Sequence, residues 1–223
     1  MAASQPSQPT APVKRLPRAE RLELTLDAAT RTFARAGFDA TGLDHVAAEA
    51  GISKVLLYRL FESKTDLYRA VLDRACTRLR TRVGDDDFTD TSIPALLDAA
   101  ADDPDGFRLV FRHAAREPKF REFADDLAAT SHEVALKHLS AMIPDPHWAN
   151  WAARLIPAAT IEAVIAWLDA GQPDPDTAAD RVGAAAHGII AAAQLGSTTA
   201  ELRAHERAQD PTSRRRRQAS SSV

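Results

Sequence analysis

Apolar residues return along this chain at three- and four-residue intervals, the period of a helix with one buried face. Leu22, Leu26, Ala29 and Phe33 are spaced four, three and four apart. Pro17 suits the entry to that helix and Gly37 its stop. Thr41, with Asp44 three positions on, forms a capping-box pattern and opens a short helix with Leu43, Val46, Ala47 and Ala50 inward. Gly51 ends it. Ser53 caps a further helix running through Phe61, and Ser63 caps a longer one with Leu67, Val71, Leu72, Ala75 and Leu79 along one side. Later helices are expected near 93–102, 104–116, 118–142 and 147–170. The last of these is to be kinked or broken at Pro157. A final helix follows the turn at 171–176 and reaches about Leu195. No sustained apolar–polar alternation bounded by turns suggests a strand, and no internal repeat stands out. The expected class is all-α.

Charge changes this picture more than bulk composition does. The 223 residues carry 28 Lys and Arg against 31 Asp and Glu, a net charge of −3. Residues 1–84 hold 14 basic against 9 acidic side chains, whereas residues 85–210 hold 10 against 22. The end of the chain adds the basic run Arg214–Arg217. A basic front on an acidic body is the pattern of a polyanion-binding head. The basic head also contains a short helix, a glycine turn and a second capped helix over 43–61, the outline of a helix-turn-helix. In that unit the second helix enters the major groove with its N-terminal side chains on base edges. Leu57 and Phe61, four apart, anchor it to the core and leave Lys54, Val55, Leu56 and Tyr58 toward a groove.

The run Ala36–Leu72, AGFDATGLDHVAAEAGISKVLLYRLFESKTDLYRAVL, resembles the N-terminal domain of the tetracycline-repressor (TetR) family. Ala36-Gly37-Phe38, Val46-Ala47, Ala50-Gly51-Ile52-Ser53, Leu57-Tyr58, Phe61, Ser63-Lys64 and Leu67 carry the resemblance. It implies a DNA contact set of Thr41, Ser53, Lys54, Val55, Leu56, Tyr58, Arg59 and Lys64. Lys54, Val55, Leu56 and Tyr58 would face bases or the groove; Thr41, Tyr58, Arg59 and Lys64 would face phosphates. Lysine suits guanine O6 or N7, and apolar side chains suit the thymine methyl. Leu56, Leu60 and Gly42 depart from the residues common in the family, which leaves the operator sequence open.

The resemblance also implies a division of the chain. A disordered basic arm (1–17) precedes a DNA-binding domain (18–64), a connecting helix (65–84), a helical effector and dimerisation domain (85–198) and an Arg/Ser-rich disordered tail (199–223). Phe107, Phe111, Phe123, Leu127, Trp148 and Trp151 are candidate walls of an effector pocket. Arg108 and Arg112, with Arg116 on one stripe, would either hold an anionic head group, form a solvated face or pair with Asp102, Asp103 and Asp105. Val164, Trp167, Leu168, Ala185, Ile189 and Ala193 are candidate dimer contacts, since the family dimerises through its last helices. The stretches RLPRAERLELTL and DPDGFRLVFRHAAREPKF are similar to actinobacterial TetR-like regulators of lipid synthesis, which suggests a fatty acyl-CoA effector. The partners expected are double-stranded DNA, a small-molecule effector and a second copy of the chain.

Other classes fit less well. No continuous apolar run reaches the roughly 20 residues of a membrane span. No export signal is visible at the N-terminus, and Cys76 stands alone, so a reducing cytoplasm is expected. His132-Glu133 is followed by His138, six residues from the first histidine where a zinc motif needs four. Neither a nucleophile elbow nor paired cysteine ligands are present. Neither enzymatic activity nor any cofactor or metal is expected. The competing reading is an all-helical lipid or small-molecule binder without specific DNA binding.

Overall fold

The computed structural model describes residues 17–84, 89 and 91–209, with 196–209 by backbone alone. The basic arm at Lys14 and Arg15 and the Arg214–Arg217 run lie outside the described residues. Among the described residues there are helices and no strand, in line with the expected class. Contacts divide the chain into two compact units, Met1–Val71 and Leu72–Val223, so that the boundary falls within a helix.

The first unit holds α1 (Arg18–Ala40), α2 (Leu43–Glu49), α3 (Lys54–Leu60) and the opening turns of α4 (Lys64–Val83). Its core is aromatic. Tyr68 meets Phe33 edge-on at 4.8 Å and Phe38 at 5.1 Å between ring centroids. Val46, Leu57, Leu67 and Val71 fill the remainder, all fully buried. Three threonines of α1 are buried with them, each donating its hydroxyl to the carbonyl four residues back: Thr25 to Arg21, Thr30 to Leu26 and Thr32 to Ala28. That internal bond makes a polar residue tolerable in an apolar core. Gly37, at φ +78°, turns the end of α1 through a left-handed conformation that a side chain disfavours.

Thr41 departs from the capping-box expectation. Gly42 is the cap of α2, without a side-chain bond, and the Thr41 hydroxyl donates inward to the Gly37 carbonyl at 2.7 Å. The bend at Gly37 brings that carbonyl within reach, so the hydroxyl closes the α1 end instead of opening α2. Ser53 and Ser63 do cap their helices. Ser53 Oγ accepts from the Leu56 amide at 3.2 Å and Ser63 Oγ from the Asp66 amide at 3.0 Å.

The second unit contains the rest of α4, then α5 (Ser92–Asp102), α6 (Pro104–Arg108), α7 (Arg121–Met142), α8 (Pro146–Asp169) and α9 (Pro175–Gln209). α8 packs between α7 and α9, while α5 contacts both α8 and α9. One core joins Leu96, Leu97, Ala100 and Phe107 to Val164, Ile165, Leu168 and Ala178. A second, built largely from alanine, joins Ala135, Leu139 and Ile143 to Ala149, Ala152, Ala153 and Ala193. Cys76 is buried, which pushes its thiol up to about 11 and leaves it a packing residue.

The region expected as one helix over 104–116 is segmented. α6 gives way to a π turn over Leu109–His113 and a 3₁₀ turn over Ala114–Arg116. Pro118 has no amide hydrogen and holds Glu117 extended (φ −91°, ψ 116°), so α7 is entered through a 3₁₀ turn over Pro118–Phe120. Conversely, α8 runs unbroken through Pro157. Burial of Ala152 and Ala153 before the proline, and of Val164, Ile165 and Leu168 after it, offsets its cost of about 3 kcal/mol. By length and composition α8 could cross a membrane, a property that a search for continuous apolar runs overlooks. Here it packs against α7 and α9. α9 extends past Leu195 to Gln209 because residues 200–209 are dominated by Ala, Glu, Arg, Gln and Leu, all good helix formers. The segment from 199 is therefore helical for ten further residues.

Candidate nucleic-acid interface

The site begins with the anchoring of α3. Leu57 is fully buried and Phe61, at the helix end, is 7% exposed. Both lie on one side, so the opposite side is presented outward. Val55 is 64% exposed and Tyr58 50% exposed, large values for such apolar side chains. Lys54 and Arg59 are exposed as well. Lys54, Val55 and Tyr58, at i, i+1 and i+4, thus share one outward surface of a capped helix. Leu56 and Leu60 are half-buried and contribute to packing.

Two residues of the expected contact set are engaged elsewhere. Thr41 is 1% exposed, its hydroxyl satisfied by backbone carbonyls, so its side chain offers nothing to a phosphate. The Lys64 ammonium donates to the carbonyls of Phe38 at 2.8 Å and Asp39 at 3.2 Å, and lies 4.4 Å from the Phe38 ring centre. It closes the C-terminal end of α1, where unpaired carbonyls favour a cation. The local motif could not reveal this, because the bond spans 26 residues.

The sequence pattern also missed the ionic partners around α2. Lys54 Nζ lies 2.7 Å from Asp44 Oδ1 and 2.9 Å from Oδ2, straddling the carboxylate. Glu49 accepts from Arg31 Nε at 3.1 Å and lies 3.4 Å from Arg35, and these guanidinium groups hold its carboxyl below the usual range. The second arrangement braces α2 on α1. The first joins α2 to the outward face of α3.

In the second unit one groove takes in part of the expected pocket set. A half-open groove of about 400 Å³ lies between α4, α5 and α6, and of the expected walls it takes Phe107. Leu79, Val110, Ala75 and Ala99 supply the rest of its apolar lining. Arg82–Asp102 and Arg78–Asp103 ion pairs, the latter at 3.6 Å, cross from α4 to the C-terminal end of α5. Arg108 and Arg112 instead converge on Asp169 at 3.0 and 2.8 Å. Asp105 is 4.0 Å from Arg108. Phe111, Phe123 and Leu127 are half-buried outside this groove. Trp148 and Trp151 are exposed, set edge to face at 5.5 Å.

The expected dimer contacts divide similarly. Val164, Leu168 and Ala193 are buried within their own chain, where helix period alone could not distinguish an inner from an outer apolar face. Trp167 donates its indole N–H to the Pro173 carbonyl at 2.9 Å. Ala185 is exposed and Ile189 half-buried.

Residues 26–71 match the family model for bacterial regulatory proteins of the tetR family. The HTH-type transcriptional activator FasR of Mycolicibacterium smegmatis is 37% identical over 107 residues, 44% of this chain and 49% of that protein. The HTH-type transcriptional repressor SCO4008 of Streptomyces coelicolor is 36% identical over 86 residues, 38% and 45% of the two chains. The matched segments span about half the length of these relatives. In fold, a TetR-like regulator from Rhodococcus sp. RHA1 aligns with a TM-score of 0.66 at 24% identity, over 79% of this chain and 99% of the other. The regulator FadR from Bacillus subtilis, solved in complex with stearoyl-CoA, aligns with a TM-score of 0.55 at 15% identity, over 78% and 98%. The helix-turn-helix thus lies in a segment that matches the tetR family model of bacterial regulatory proteins, and the chain shares the all-helical fold of a TetR-like regulator along most of its length.

Proposed function

We propose that this chain is a cytoplasmic, ligand-responsive repressor that binds a pseudo-palindromic operator as a homodimer and is released by a small amphipathic effector. The observation that carries the DNA reading is the outward face of α3. Tyr58 and Val55 are more than half-exposed or nearly so on a helix whose opposite side is locked by Leu57. Lys54, Val55, Tyr58 and Arg59 form the contact set, with Ser53 fixing the N-terminal turn and Leu56 at its edge. Paired recognition helices one DNA turn apart read an operator with matching two-fold symmetry.

The dimer surface proposed is the exposed face of α8 and α9. Trp151 and Leu155 project from α8; Ala185, Gly188, Ala192 and Leu195 lie on the outer side of α9. Small side chains there allow close helix approach. The groove beside Phe107 is the proposed effector site, since its volume falls within the range of small-molecule pockets. A fatty acyl-CoA is the class favoured by the kinship in fold with the stearoyl-CoA-bound FadR.

A gel shift on the DNA upstream of the chain's own gene, with non-specific competitor at moderate salt, tests this reading. Retention of a pseudo-palindromic fragment, relieved by an acyl-CoA, is expected. Retention of none would favour the non-DNA-binding carrier, and retention indifferent to acyl-CoAs would remove that effector class.

A further inference from the structure

We infer that Asp44 is a specificity-determining residue that withholds Lys54 from DNA until a matching base displaces it. The inference rests on the DNA-binding reading above and adds to it a residue on a different helix. The Lys54 ammonium sits against both oxygens of Asp44, at 2.7 and 2.9 Å. Both side chains are more than half exposed, 53% for Lys54 and 66% for Asp44, so the pair lies at the surface that a duplex would approach. The hydrogen bond to the carboxylate also raises the lysine above its ordinary range.

The placement is poorly suited to stabilising the fold. Exposed ion pairs add little to stability, and Glu49, with Arg31 and Arg35, already braces α2 on α1. Its consequence falls on recognition. A lysine at the start of a recognition helix, left alone, attracts any phosphate and gives affinity without discrimination. Closed against Asp44, the pair has no net charge and offers a passing duplex no free cation. A guanine presenting O6 and N7 together supplies two acceptors at one edge, the geometry that replaces a two-oxygen carboxylate. A phosphodiester also offers two oxygens, but it lies on the wall of the groove, whereas the first turn of a helix seated in the groove faces the base edges. Exchange is therefore favoured at the matching base and disfavoured along random sequence. Tyr58, four residues on from Lys54, is exposed on the same surface.

The test is a double-mutant cycle of Asp44→Asn and Lys54→Ala in the full chain. Each variant is titrated against a random-sequence duplex and the retained upstream fragment over a range of salt. Asp44→Asn alone is expected to tighten random-duplex binding roughly 2–5-fold at low salt, the strength of an exposed pair. It should also steepen the salt dependence by about one phosphate contact and narrow the ratio of upstream-fragment to random-duplex affinity. In the Lys54→Ala background the same change should do none of these. Equal effects in both backgrounds would show a carboxylate acting on phosphates by itself and overturn the inference. Weakened binding to the upstream fragment by Asp44→Asn would make Asp44 a direct reader, which also overturns it. No retention of any duplex by the unmodified chain would end the DNA-binding reading and this one together. Matching thermal melts of the variants establish that each is folded.

Discussion

Lys64 shows how a residue's chemistry can be right and its partner wrong. A lysine at the start of a helix suits a phosphate, yet this ammonium is held by two carbonyls at the end of α1. Hydrogen bonds involving a charged group contribute roughly 1.5–3 kcal/mol each when the alternative is an unpaired polar atom. Lys64→Ala is therefore expected to lower the stability of the first unit by an amount in that range. It should leave the salt slope of DNA binding as it was. Chemical denaturation and a salt titration of the same variant check both halves; a slope reduced by one unit with stability unchanged would restore the phosphate role. Thr41 teaches the same lesson at smaller scale, since its hydroxyl is already satisfied by Gly37. Residues of α3 were more legible because helix geometry alone decides which side of Leu57 they lie on. Asp44 was not, because its partner depends on how α2 meets α3, which no local pattern encodes.

Among the elements, the strongly periodic ones were readable and the irregular ones were not. α1 and α3 follow from apolar spacing with a glycine stop and a serine cap. The stretch from Pro104 to Phe120 does not, because its apolar spacing remains helical while its backbone passes from α through π and 3₁₀ turns to an extended Glu117. Pro118 accounts for the last change; nothing in the structure explains the π turn. Gly106 controls the first element. Asp103 caps α6 by accepting from the Gly106 amide at 2.9 Å, and a Cβ on Gly106 would lie 2.4 Å from Asp103 Oδ2. Alanine ordinarily favours a helix over glycine by up to about 1 kcal/mol. Here Gly106→Ala should instead be neutral or destabilising, because the cap it displaces contributes about 0.5–2 kcal/mol. A thermal melt decides the sign, and a clear rise in Tm would show that Asp103 can move aside without loss.

For the whole molecule, the all-helical class and the helix-turn-helix could be read directly, whereas the inner and outer faces of the later helices could not. α8 and α9 are rich in alanine all round, so both faces satisfy a helical period. Burial of Val164, Leu168 and Ala193 inside the chain leaves Ala185, Ala192 and Leu195 as the face open to a second copy. On the dimer proposed above, Ala192→Glu should shift the chain to monomer, measured by light scattering across a dilution series, and weaken binding to the proposed operator with it. An unchanged mass would place any dimer contact elsewhere.

The cation seated at the end of α1 also bears on how the first unit comes apart. Phe38, whose carbonyl it binds, belongs to the same aromatic cluster as Tyr68 of α4. Fraying of that terminus must strip the ring from its neighbours and uncover the carbonyl in one event. The last turn of the first helix should therefore exchange its amide protons as slowly as the interior does, making the segment behind α3 a stiff mount instead of a hinge.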